Sequence, residues 1–205
     1  TGDVSRAEEC LNMMSTLTKS PRLFDHAYYH HMASMVSLLK GDMPRAVEHG
    51  KTCVELSEKF GSPFLTYIHL CGYVHALVES DPKSAIAHYI ARIREFGSKA
   101  NSGIYNYGSL TVGAIQAMRL GNDKVFFDCL SKFVAIGKTS GIRVLPYLKP
   151  SSSIPICAHA LEAGFETEYM RELIRLNDFI PPGPMPQVEN WPWQLKVYTL
   201  GRFEL

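Results

Sequence analysis

The chain has 205 residues, room for one large domain or two small ones. Its 46% hydrophobic content suits a packed globular protein, and 21 basic against 20 acidic residues exclude a global field drawing it to nucleic acid or anionic lipid. No apolar run approaches the ~20 residues that span a bilayer, and the opening TGDVSRAEEC lacks the basic and apolar regions of a signal peptide, so a cytoplasmic location with no membrane partner is expected.

In chain order, the hydrophobic periodicity predicts one orphan helix over residues 3–18, closed by Ser20-Pro21. Helix pairs follow at 23–40 with 43–60, 63–79 with 82–96, 104–120 with 123–136, and 152–163 with 166–178. Gly61, Gly97 and Gly137 are placed just past second helices, and Pro63 and Pro82 in first turns. The turns repeat: Gly2-Asp3, Gly41-Asp42, Ser80-Asp81, Asn122-Asp123 and Phe165-Glu166 set their acidic members 39, 39, 42 and 43 residues apart. An aspartate caps a helix by accepting a first-turn N–H, and a glycine before it ends the preceding helix. Nine positions before the marker stand Ala33, Gly72, Ala114 and Cys157, and four after it Ala7, Ala46, Ala85, Phe127 and Met170. Small residues at matched places let two helix backbones approach closely, and packing is expected to be tight at Gly72.

This pattern resembles the tetratricopeptide family, with longer periods and no strong Trp or Pro signature. It looks like the sensor region of MalT-like bacterial transcription activators. The resemblance implies an all-α fold over 1–178, a TPR-like α-hairpin superhelical solenoid in which each repeat buries its face against its neighbours.

Beyond it, a proline-rich linker is expected at 179–193, where IPPGPMPQVENWP forbids a helix and favours an extended tether. Residues 194–205 then take a strand rhythm, with Leu195, Val197 and Thr199 alternating with polar or aromatic neighbours. LKVYTLGRFEL is similar to the opening strand of an OmpR-type winged helix in bacterial transcriptional activator domains, matching at Leu195, Val197, Leu200, Gly201, Phe203 and Leu205. The expectation is an isolated strand from a truncated domain, with the DNA-reading element missing. DNA would then be bound only through that missing winged helix, and the exposed strand allows self-association. The resemblance also implies a nucleotide-binding switch domain upstream.

Candidate chemistry is sparse. Cys10, Cys53, Cys71, Cys129 and Cys157 are widely spaced without a CxxC pair and are read as small apolar residues of a reducing compartment. His26 and His30 in DHAYYHH share a helical face but lack a third ligand, so no metal is expected; neither is a cofactor or a catalytic residue. In a tetratricopeptide-like stack the first helix of each pair lines the concave face. Carried onto this repeat, that places His30, Ser34, His69, Tyr73, Thr111 and Met118 on one groove, with Arg119 in reach. The expected occupant is a small-molecule effector or a protein, and the alternative is an interaction scaffold with no small-molecule ligand.

Overall fold

The computed structural model describes residues 3–100, 103–145, 149–181, 191–193 and 195. Among them it is all-helical, with nine α-helices and two short 3-10 helices. None of these helices is long and apolar enough to cross a membrane. The chain separates into two compact units, Thr1–Pro150 and Ser151–Leu205, a division inside the stretch read above as one repeat domain. The expected strand at 194–205, and the linker between 182 and 190, lie outside the described residues apart from Leu195.

The first unit opens with α1 (Val4–Met14), whose N-cap Asp3 accepts the Arg6 amide at 3.0 Å. A 3-10 turn over Ser15–Lys19 follows, so the expected helix 3–18 tightens at its end. Then come α2 (Leu23–Lys40), α3 (Met43–Lys59) and α4 (Pro63–Ser80), close to the expected bounds. Gly41, at φ 82°, ends α2: its amide reaches Leu38 O, and the Asp42 amide reaches Ser37 O at 2.9 Å. That is a Schellman closure, and Asp42 then caps α3 through Arg45 N. Leu38, Ala46 and Ala76 bring α2, α3 and α4 into one buried cluster flanked by Met43 and Val47.

The second helix pair departs from expectation. Helix α5 spans Ala87–Lys99, starting five residues after Pro82, and Asp81 closes α4 instead of capping α5. The reason is a set of competing bonds. Asp81 Oδ1 accepts the Lys83 amide at 2.9 Å, and Gln116 donates to the carbonyls of Pro82 and Ser84 at 2.9 and 3.0 Å. With those groups held, the first helical turn does not form. Ala85 is therefore exposed, and Ile86 is the buried residue. Gly97 lies inside α5, buried, instead of past its end.

A 3-10 turn over Gly103–Asn106 leads into α6 (Tyr107–Arg119) and α7 (Asp123–Ser140). Here the cap is Asn122, one residue before the expected marker; its side chain accepts Val125 N at 3.1 Å. The buried position accordingly falls on Phe126, while Phe127 is only half-buried. Gly137 is inside α7, and Gly141, at φ 72°, ends the helix. Tyr107 stacks on Phe133 at 4.2 Å between ring centroids, joining α6 to α7.

In the second unit, α8 (Pro150–Glu162) buries Ile154, Ile156, Cys157 and Leu161, and α9 (Thr167–Leu176) buries Tyr169, Met170, Leu173 and Ile174. Gly164 and Phe165 repeat the Schellman closure on Leu161 and Ala160, and Glu166 follows in the left-handed region at φ 45° without a side-chain cap.

Candidate functional site

The row expected to line an open groove lies mostly inside the protein. Ser34, His69, Tyr73 and Thr111 are buried, because α2, α4 and α6 each lie against helices on more than one side. Ser34 donates to Ala46 O at 2.7 Å, and Thr111 to Gly108 O in its own helix at 2.9 Å. Burial pushes the Tyr73 hydroxyl up to about 12, helped by a hydrogen bond with Tyr89. Met118 and His30 are half-buried. Arg119 is committed elsewhere, to Val78 O at 3.2 Å and to Glu79 at 2.8 Å.

The histidines split between two clusters. His30 Nδ1 meets His49 Nδ1 at 2.9 Å, which requires one ring to donate and the other to accept. Burial and the neighbouring His49 hold His30 below the usual histidine range. His26 turns away to Ser20 O at 2.6 Å, so the i, i+4 pair does not converge. His69 instead meets His31, with ring centroids 4.9 Å apart.

Spacing along the chain gave no hint of a third partner for that pair. Cys53 of α3 lies beside His31 of α2 and His69 of α4, and one donor atom from each falls within 4.8 Å of the others. Cys53 and His69 are buried, and His31 is half-buried. Burial lowers His69 to about 4, with His31 adding to the shift, and lowers His31 in the same direction. Burial also pushes the Cys53 thiol up. Burial thus favours the neutral form of all three groups. His69 Nδ1 has no hydrogen-bond partner, an expensive state for a group that is 3% exposed.

A second polar centre gathers on Glu79 at the end of α4. Its side chain is 3% exposed and pairs with Arg119 of α6 and with Lys149 at 3.1 Å. His75 Nε2 approaches at 3.4 Å without hydrogen-bond geometry. Such a carboxylate is tolerated in the interior only because it is paired.

Among the described residues, an open groove of about 390 Å³ lies where α3 ends and α4 and α5 face each other. Tyr67, Leu70, Ile93 and Phe96 wall it, with Tyr67 stacked on Phe96 at 5.0 Å and Tyr105 edge-on to both. Its rim carries the ion pairs Arg92–Glu58 and Lys99–Glu95. The transferred positions missed this groove because it draws on α5, a second helix, and on Pro63, Thr66, Tyr67 and Leu70 of α4 instead of His69 and Tyr73.

No family model matches the chain, and no curated protein or solved structure matches it.

Proposed function

We propose that this chain is the regulatory segment of a bacterial transcription regulator, a TPR-like stack of α-hairpins that takes a small effector in the α3–α5 groove. The groove carries the reading. Its size falls in the range of small-ligand sites, and it pairs flat apolar walls with a few charged groups at the rim. That chemistry suits a molecule with a planar apolar body and a charged end. The packing of α2 on α4 and of α4 on α6 supports a superhelical stack, since first helices of successive hairpins adjoin in such repeats. The likeness of LKVYTLGRFEL to a winged-helix opening strand supports the link to transcription. Occupancy would favour one arrangement of α4 and α5 over another, and so bias a resting–active equilibrium. The segment is non-catalytic in this reading.

Thermal stability against a metabolite panel tests it. A true effector stabilises by RT ln(1 + [L]/Kd), about 2.7 kcal/mol at a hundredfold excess over Kd. Phe96→Ala and Arg92→Ala should remove that gain while leaving the helical circular dichroism signal. A flat response to every metabolite would sink the effector reading.

One observation favours a second reading, a protein-interaction scaffold. Phe24, Tyr28 and Phe64 are 46%, 43% and 49% exposed, and Phe24 lies edge-on to Phe60 at 6.2 Å. Exposed aromatics of this kind anchor protein partners. Under that reading, Phe24→Ser and Phe64→Ser should abolish partner capture without changing any metabolite response.

A further inference from the structure

We propose that His31, Cys53 and His69 form a binding site for a divalent cation of the zinc class. Two imidazoles and one thiol, each from a different helix, bring donor atoms within 4.8 Å of one another. Tetrahedral zinc, with Zn–N near 2.0–2.1 Å and Zn–S near 2.3 Å, needs donors about 3.3–3.6 Å apart, so the trio closes on an ion with side-chain movements of about an ångström. The donor set is borderline-soft, which selects zinc-like ions over magnesium or calcium. His69 Nδ1 lacks a hydrogen-bond partner, and a polar group left so in an interior calls for a ligand or a cost. Three protein ligands leave a fourth position for water or a small anion.

Other roles fit less well. A nucleophilic cysteine needs its thiol lowered by a nearby positive charge, whereas burial raises Cys53 and disfavours the charged form of both neighbouring rings. Simple core packing accounts for the tilted rings but leaves His69 Nδ1 unexplained. His31, the half-buried member, gives the ion its route in. As the Sγ–metal bond forms, the Cys53 thiol gives its proton to solvent, and each neutral imidazole contributes a lone pair. One proton is released per ion. This site stands on its three side chains and does not depend on the effector groove.

The test uses the full 205-residue chain, freed of metal by a chelator, and titrated with Co(II) and then Zn(II). Expected are one ion per chain, tetrahedral Co(II) absorption with a near-ultraviolet thiolate charge-transfer band, and release of one proton on zinc binding. Cys53→Ala should abolish the band, and His69→Phe should weaken binding at least about tenfold. His49→Ala, at the neighbouring histidine pair, should change neither. Circular dichroism checks that each variant folds; if Cys53→Ala does not, His69→Phe and the wild-type band decide. Absence of the band in the wild type, or zinc binding abolished by His49→Ala and untouched by Cys53→Ala, overturns the proposal. Either failure leaves the metabolite response of the groove as it was, so the two readings fail separately.

Discussion

Two glycines on facing helices show how far a single hydrogen atom's worth of space matters. A Cβ built on Gly50 would stand 3.2 Å from Tyr73 Cα and 3.3 Å from the Ser34 hydroxyl, closer than ordinary contact and against backbone. At Gly72 the nearest atoms belong to the His31 ring, at 3.5 and 3.7 Å, an ordinary contact. Alanine in a helix interior gains about 1 kcal/mol over glycine, while overpacking costs about 1–3 kcal/mol. Gly72→Ala should therefore raise the urea midpoint, and Gly50→Ala should lower it, with a net stability loss of up to about 2 kcal/mol. The small-residue pattern pointed to a tight contact at Gly72, and of these two glycines it is Gly50 that meets the closer neighbours. Nothing local in the sequence distinguishes them, because each depends on what the opposing helix presents. Gly72→Leu remains destabilising, since its longer side chain reaches the His31 ring. If Gly50→Ala and Gly72→Ala move the midpoint the same way, the α3–α4 approach is softer than these distances require.

At the scale of the element, the turn markers were legible but their roles were not uniform. Asp3 and Asp42 cap helix starts as expected, Asn122 takes the cap from Asp123, and Asp81 ends α4 without starting α5. Asn122→Ala removes the acceptor for Val125 N and should cost about 1 kcal/mol, read as a lowered denaturant midpoint with an unchanged slope. Glu166 is held at φ 45°, where a side chain meets the following carbonyl. Glu166→Gly should stabilise by roughly 0.5–1 kcal/mol, the strain relieved less the added chain entropy. A loss on that change would mean that the carboxylate makes a contact outweighing its backbone strain.

Across the first unit, Glu79 ties α4 to α6 and to Lys149. Removing one partner of a buried ion pair costs about 3–5 kcal/mol. Arg119 and Lys149 keep 28% and 18% of their side chains exposed, so water relieves part of that loss. Glu79→Ala should cost roughly 2–4 kcal/mol, measured by urea unfolding, and Glu79→Gln less. Over the entire chain, the charge balance of 21 basic and 20 acidic residues predicts no salt-dependent attraction to duplex DNA. Fluorescence anisotropy with a labelled duplex at low salt should stay flat; a steep salt-dependent rise would reveal a basic face that the net charge conceals.

Helix existence and most helix ends were written locally, because a 3.6-residue apolar period, a capping side chain and a left-handed glycine each act within a turn or two of their own position. Asp42 and Gly41 needed no knowledge of the rest of the chain. The late start of α5 did, since it depends on Gln116 holding the carbonyls of Pro82 and Ser84 from more than thirty residues away. The same holds for the site. His30 and His69 occupy equivalent repeat positions, yet one bonds His49 and the other meets His31, because each ring answers to the helix packed against it. Polar residues that the tetratricopeptide resemblance assigned to an open face lie between helices, and Cys53 joins two histidines that no sequence spacing connects. Local chemistry decided where the chain turns helical. Only the packing of helices distant in sequence decided which side chains meet, because that depends on the crossing of whole surfaces and not on any window of residues.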